Sequence, residues 1–75
     1  MYDINDIIFS KSFLTIARIY KLVPATIDMV VTYKAICLDG SFIITHDADI
    51  LDLPPDIVIH LLDNASDEWL SVGLN

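Results

Sequence analysis

The dipeptide Asp39-Gly40 most constrains the fold, because it separates two runs rich in β-branched and aromatic residues, 27–38 and 41–45. An Asp-Gly pair suits the positive φ angles of a two-residue type I′ turn, so the sequence predicts a β-hairpin. In the register set by that turn, three cross-strand pairs share one buried side with Ile27, Met29 and Val31. These pairs are Cys37 with Phe42, Ala35 with Ile44, and Tyr33 with His46.

The other side of the predicted hairpin is mixed in character. Polar residues such as Lys34 and Thr45 alternate there with apolar ones, and Ile36 and Ile43 form a facing pair. A pair of isoleucines on the outside of two strands needs cover, because two strands alone are a minimal sheet. We therefore expect another element, or another chain, against this side.

The N-terminal region fits an amphipathic helix that ends near Val23, before Pro24. Asp3 is a candidate N-cap, with Asp6 in the first turn. An alternative start is a short strand over 7–9, with the helix beginning after Ser10 or Ser12. The apolar stripe consists of residues spaced by three or four positions: Phe9, Phe13, Ile16, Tyr20 and Val23.

The C-terminal region predicts a second helix over 55–65, since Pro55 is tolerated in a first turn and Asp56 favours the helix dipole. A strand over 57–62 is a rival, because Ile57-Val58-Ile59 has high β propensity. Ser66 or Asn64 is expected to cap a last turn that ends at Gly73. The predicted fold is therefore α+β, with helix, hairpin and helix in one domain of residues 1–75, both helices on one side of the strands, and a possible additional short strand.

The charges are distributed unevenly along the chain. From Ala35 onward there are eight acids and no Lys or Arg, within a net charge of −7. Such asymmetry favours basic partners and disfavours nucleic acid and anionic lipid. The turn accounts for Asp39 and the helix start for Asp56. The remaining six acids are the predicted partner-binding residues: Asp47, Asp49, Asp52, Asp63, Asp67 and Glu68.

Composition and local patterns indicate the cellular environment that we expect for the protein. A hydrophobic fraction of 55% is high for 75 residues, so surplus apolar side chains suggest an interface. Polar residues interrupt every apolar stretch well before the roughly 18 residues of a membrane span, and the N-terminus lacks a signal-peptide pattern. Cys37 is the only cysteine, which excludes an intrachain disulfide and indicates a reducing cytoplasmic compartment.

Few residue patterns point to chemistry. Asp56, His60 and Asp63 would share a helix face and resemble a metal site, but a solvated face is the favoured interpretation because no further His or Cys ligand is evident. Cys37 is expected to be a buried apolar residue, and Trp69 to anchor the C-terminus in the core. We therefore expect no enzymatic activity, no cofactor and no metal.

The function predicted from these features is a non-enzymatic acidic module that binds a basic protein surface. One version is a phage-type inhibitor of the anti-CRISPR or anti-restriction class, whose carboxylates replace phosphates in a nucleic-acid-binding groove. The alternative is a small homodimeric structural or assembly module, whose acids only provide solubility.

Overall fold

Five strands form one antiparallel sheet, and two helices follow them in the chain. The structure is a computed structural model that describes residues 2–24 and 31–74. The strand order in the sheet is β4-β3-β2-β1-β5. The elements are β1 (Ile7–Ser10), β2 (Thr15–Val23), β3 (Thr32–Cys37), β4 (Phe42–His46), a 3-10 turn (Asp47–Asp49), β5 (Ile50–Asp52), α1 (Pro55–Asn64) and α2 (Asp67–Ser71).

The sheet is strongly curved. Strands β4 and β5 lie at opposite ends of the strand order, yet only the turn Asp47–Asp49 joins them. In a flat sheet they would be about 19 Å apart at a strand spacing of about 4.8 Å. The short connection spans at most about 14 Å between its flanking Cα atoms. The sheet therefore curls around its inner core, which consists of Ile8, Ala17, Ile19, Tyr33, Ala35, Cys37, Ile43 and Ile50.

The predicted fold of helix, hairpin and helix is wrong, because the sheet has five strands and residues 7–23 form two of them instead of a first helix. Only the alternative of a short strand near 7–9 is confirmed, as β1. Strand β2 is covered on both faces: Ala17 and Ile19 enter the inner core, while Ile16 and Tyr20 pack on the helical side. A strand buried on both sides has apolar residues at nearly every position, so its sequence also contains spacings of three and four.

A bulge in β2 also makes its sequence look less like that of a strand. The register with β3 shifts between Ile19 and Lys21, so that Tyr20 has no partner of its own. An extra residue in one strand bends it and breaks the period-two pattern. Leu22, beyond the bulge, again packs against the inner core.

The hairpin is present, but its predicted turn and register are wrong. Cys37 N donates to Ser41 O at 2.8 Å, and Gly40 N donates to Cys37 O at 3.0 Å. The loop thus has three residues, with Gly40 at φ 89° in the position that favours glycine. The observed pairs include Ile36 with Phe42, Ala35 with Ile43, and Lys34 with Ile44.

This shift of one residue exchanges the buried and the exposed side chains of strand β4. Ile43 and Thr45 are buried, whereas Phe42, Ile44 and His46, which the predicted register placed inside, are exposed. The expected outward pair of Ile36 and Ile43 does not exist, because these residues lie on opposite faces of the sheet. The predicted strand positions Ile27, Asp28, Met29 and Val30 lie outside the described residues.

Both C-terminal helical segments were predicted correctly. Helix α1 begins at Pro55 and ends at Asn64, and the strand alternative for 57–62 is wrong. In α2, Ser66 is the N-cap, and its hydroxyl accepts a hydrogen bond from Trp69 N at 3.2 Å. The helical layer covers the outer face of the sheet with Val58, Leu61, Ala65, Trp69, Leu70 and Val72, against Ile7 and Ile36.

Candidate functional site

Asp49 holds the curved sheet together. Its Oδ2 accepts hydrogen bonds from Ser10 Oγ at 2.6 Å and Thr45 Oγ1 at 2.7 Å, and its Oδ1 accepts one from Ser12 N at 2.8 Å. Ser10 lies in β1 and Thr45 in β4, which are three positions apart in the strand order. The Ser10 and Thr45 hydroxyls, joined by the Ser12 amide, hold the pKa of the Asp49 carboxyl well below its usual range. Asp49 is therefore a structural clamp.

Asp47 and Asp52 accept hydrogen bonds from tyrosines. Tyr33 Oη donates to Asp47 Oδ1 at 2.5 Å, and Tyr2 Oη donates to Asp52 Oδ1 at 2.8 Å. The hydrogen bond to Asp52, with burial as a smaller cause, raises the pKa of Tyr2 to about 12. Burial, followed by the bond to Asp47, raises the pKa of Tyr33. The two rings meet edge to face at 6.0 Å and Tyr2 packs against the inner core, so these acids help to hold the N-terminal segment on that core.

Arg18 is buried on the opposite side of the sheet, at 2% exposure. Its Nε and Nη2 donate to Trp69 O at 3.2 and 2.8 Å, Nη2 also donates to Val72 O, and Nη1 donates to Asn5 Oδ1 at 2.9 Å. These acceptors are neutral oxygens, and burial lowers the pKa of Arg18. A cation near the last carbonyls of a helix is favourable, so Arg18 acts as a C-terminal cap for α2.

Trp69 completes this cluster. Its Nε1 donates to Ile36 O at 3.0 Å, and its ring centroid lies 5.8 Å from the Arg18 guanidinium carbon. At 4% exposure it is a core residue, as predicted. Gly73 follows at φ 82°, and a Cβ there would lie 2.8 Å from the Tyr20 Cβ, which ties the end of the chain closely to β2.

The other three predicted partner-binding acids lie in the helical layer and face solvent. Asp63 is exposed near the end of α1, and Asp67 and Glu68 are exposed in the first turn of α2. Asp56 is also exposed, in the first turn of α1. The six acids therefore do not form one site. One group of three is hydrogen-bonded within the fold, although Asp47 and Asp52 remain exposed, and the other group of three faces solvent.

The helix face considered as a metal site is present as an exposed surface. Asp56, His60 and Asp63 are all exposed on α1, and His60 O accepts a hydrogen bond from Asn64 Nδ2 at 2.8 Å. Over residues 2–24 and 31–74, no three His, Cys, Asp or Glu side chains are placed to hold a metal ion. Cys37 is 1% exposed in the inner core, which matches its predicted role as a small apolar residue.

Sequence reasoning missed the outer face at the β4 edge. Phe13, Tyr20, Lys34, Phe42, Ile43 and Ile44 line a groove of about 490 Å³ there. Phe42 and Ile44 are each 61% exposed, and Lys21 lies directly opposite Lys34 in the register of β2 and β3. A three-residue loop over 38–40, with Gly in its last position, was the signal that could have found this face, since it sets the other register.

Comparison with known proteins leaves the chain without an assigned class. No family model matches it, and no curated protein or solved structure is significantly similar to it. Among the described helices, none is both long and apolar enough to cross a membrane.

Proposed function

We propose that this protein is a non-enzymatic, cytoplasmic binding module that docks on a basic protein surface through the exposed acids of its helical layer. The observation that carries the proposal is the position of Asp63, Asp67 and Glu68, which face solvent in the C-terminal part of the chain. That part contains no Lys or Arg after Lys34. Its surface potential is therefore negative and attracts cationic side chains.

Apolar side chains next to these acids support docking over mere solubility. Ile59 and Leu62 are 60% and 42% exposed on α1, close in sequence to Asp63. Protein interfaces combine an apolar centre with a charged rim, and charged pairs at the rim mainly speed association. A partner that offers Lys or Arg around an apolar centre would fit this surface.

A specific form of the proposal is an inhibitor of the anti-CRISPR or anti-restriction class. In this form the carboxylates of the helical layer occupy positions that phosphates take in a nucleic-acid-binding groove, and inhibition is by competition. The clamp acid Asp49 has no part in it, because its oxygens already accept three hydrogen bonds.

The test is capture of host proteins by three forms of the immobilised protein. The first is the native chain, and the second is the triple variant Asp63→Asn, Asp67→Asn, Glu68→Gln. The third is a control with the same change in net charge, made at exposed leucines outside the acidic surface: Leu14→Lys, Leu51→Lys and Leu74→Lys. We expect a Lys- and Arg-rich partner on the native chain and the control, released as salt rises, and at least a tenfold loss on the triple variant.

Competition with nucleic acid tests the inhibitor form. An added oligonucleotide should displace the captured partner if the acids occupy its nucleic-acid groove, and should have no effect if they bind elsewhere. Equal capture by the native chain and the triple variant would contradict the whole proposal.

A further inference from the structure

Strand β4 has an outer edge along which no other described strand pairs. It ends the strand order, and within the described part of the chain it pairs only with β3. The Cys37 N to Ser41 O bond makes Ser41 and Cys37 a hydrogen-bonded pair. Because such pairs alternate along antiparallel strands, Ile43 and Thr45 also direct their backbone groups toward β3. The N–H and C=O groups of Phe42, Ile44 and His46 therefore point away from the sheet.

The same edge is apolar in its side chains. Phe42 and Ile44 are the most exposed apolar residues of β4, and Phe42 meets Tyr20 edge to face at 5.8 Å. The groove that they line has a volume of about 490 Å³. An open strand edge with exposed apolar residues is a template for pairing with another strand.

Charge favours a second copy of this chain as the occupant. Two molecules of net charge −7 repel each other wherever their acids meet. Strands β2, β3 and β4 contain no Asp or Glu, whereas they contain Lys21 and Lys34. Contact along Phe42–His46 therefore places no carboxylate within the seam, and Asp39 and Asp47 lie beyond its two ends. It also disfavours the basic partners that the helical layer attracts.

We propose that two copies pair through their β4 strands in an antiparallel, two-fold arrangement centred on Ile44. In this register Ile44 faces Ile44 of the second copy, and Phe42 faces its His46. Every outward backbone group of the three residues then gains a partner, and one patch serves both copies, as a two-fold interface requires. The self-association uses none of the acids assigned to the basic partner, so either proposal can fail alone.

Sedimentation of paired variants tests the surface. Ile44 and Ile59 are 61% and 60% exposed, so Ile44→Lys and Ile59→Lys make the same chemical change at equal exposure on different faces. Between about 10 µM and about 1 mM, we expect the native chain and Ile59→Lys to form dimers, and Ile44→Lys to dissociate at least tenfold more readily. A native chain that stays monomeric over this range, or equal behaviour of the two variants, overturns the proposal.

Cysteine cross-linking tests the register. Facing residues of a hydrogen-bonded pair have Cα atoms about 5.5 Å apart, which suits a disulfide. Ile44→Cys should therefore cross-link to itself under mild oxidation. Phe42→Cys should not, because its two copies would be about 13 Å apart along the strands. Phe42→Cys mixed with His46→Cys should cross-link, and the native chain is the control, since Cys37 is buried.

Two outcomes would contradict the pairing of β4 with β4 of a second copy. If Ile44→Cys cross-links only when mixed with Leu51→Cys, then β4 of one copy pairs with β5 of the next, and the two-fold arrangement is wrong. If no cysteine pair cross-links while each variant retains the native circular dichroism spectrum, the edge does not bind a second copy.

Discussion

The acids between residues 47 and 52 and those of the helical layer have the same chemistry but differ in their hydrogen bonding. Asp47, Asp49 and Asp52 accept hydrogen bonds from side chains distant in sequence, although Asp47 and Asp52 remain exposed. Asp63, Asp67 and Glu68 face solvent. The comparison teaches that a run of acids in a sequence does not by itself define a surface. Hydroxyl groups elsewhere in the chain engage some of these carboxylates, and only Asp49 among the six is also withdrawn from full exposure.

Removing the clamp should give the largest effect on stability. Asp49→Ala leaves the hydroxyls of Ser10 and Thr45 without their acceptor, and both residues are almost fully buried. Because unpaired buried donors are costly, we expect the free energy of unfolding to fall by about 2–4 kcal/mol. Urea denaturation followed by Trp69 fluorescence measures it. The control Asp63→Ala should change stability by less than about 0.5 kcal/mol, and equal losses would erase the distinction between the two groups.

From the hydrogen bonds to Asp49 we also predict how the free energy of unfolding depends on pH in the acidic range. The pKa of Asp49 is lowered in the folded state, chiefly by the hydroxyls of Ser10 and Thr45. The unfolded chain, with an Asp pKa of about 3.9, therefore binds the proton first as pH falls. This contribution is present above about pH 4 and is lost progressively below it.

Denaturation at a series of acidic pH values measures this dependence. Asp49→Asn should flatten the decrease in the free energy of unfolding between about pH 5 and pH 2. Asp63→Asn should leave the decrease as steep as in the native chain. A native slope that survives in Asp49→Asn would mean that other groups account for the acid sensitivity.

Local signals predicted the C-terminal region well, and long-range contacts explain the errors elsewhere. Pro55 and Ser66 mark helix starts through backbone rules that act within one turn, so α1 and α2 could be predicted. Strand β2 could not, because its helix-like spacing comes from burial on both faces and from the bulge at Tyr20. Neither cause is visible without the partner strands.

The acids of the candidate site could be predicted from the sequence, but their hydrogen-bond partners could not. The six acids were identified, but the hydroxyls that engage Asp49 lie up to 39 residues away in sequence. The one-residue error in the hairpin register hid Phe42 and Ile44, because in a strand a shift of one position exchanges the two faces. The residues of the turn suit both two- and three-residue loops. The burial of Ile43 and Thr45 goes with the three-residue loop that is observed.

A smaller effect on the free energy of unfolding is expected at alkaline pH, from the hydrogen bond between Tyr2 and Asp52. The pKa of Tyr2 is raised to about 12, mainly by its hydrogen bond to Asp52. The unfolded chain therefore ionises first, and stability is present below about pH 10 and lost as pH rises toward 12. Tyr2→Phe should reduce this alkaline loss and should cost about 1 kcal/mol at pH 7.

A double-mutant cycle checks that the pair acts as one unit. Asp52→Asn removes the charged acceptor, so the change caused by Tyr2→Phe should be smaller in that background than in the native chain. Full additivity of the two changes would show that the bond of 2.8 Å contributes nothing to stability.

The smallest effect on stability is expected where the proposed function predicts the largest effect on binding. The triple variant Asp63→Asn, Asp67→Asn, Glu68→Gln removes two charges from the first turn of α2, which should each stabilise that helix by a few tenths of a kcal/mol. It also reduces the self-repulsion of a molecule with net charge −7, which acts in the opposite direction. The two contributions nearly cancel, so the free energy of unfolding should change by less than about 0.5 kcal/mol in urea denaturation. A loss of several kcal/mol would place these acids with Asp49 as structural residues, and it would remove the reason to assign them to a partner.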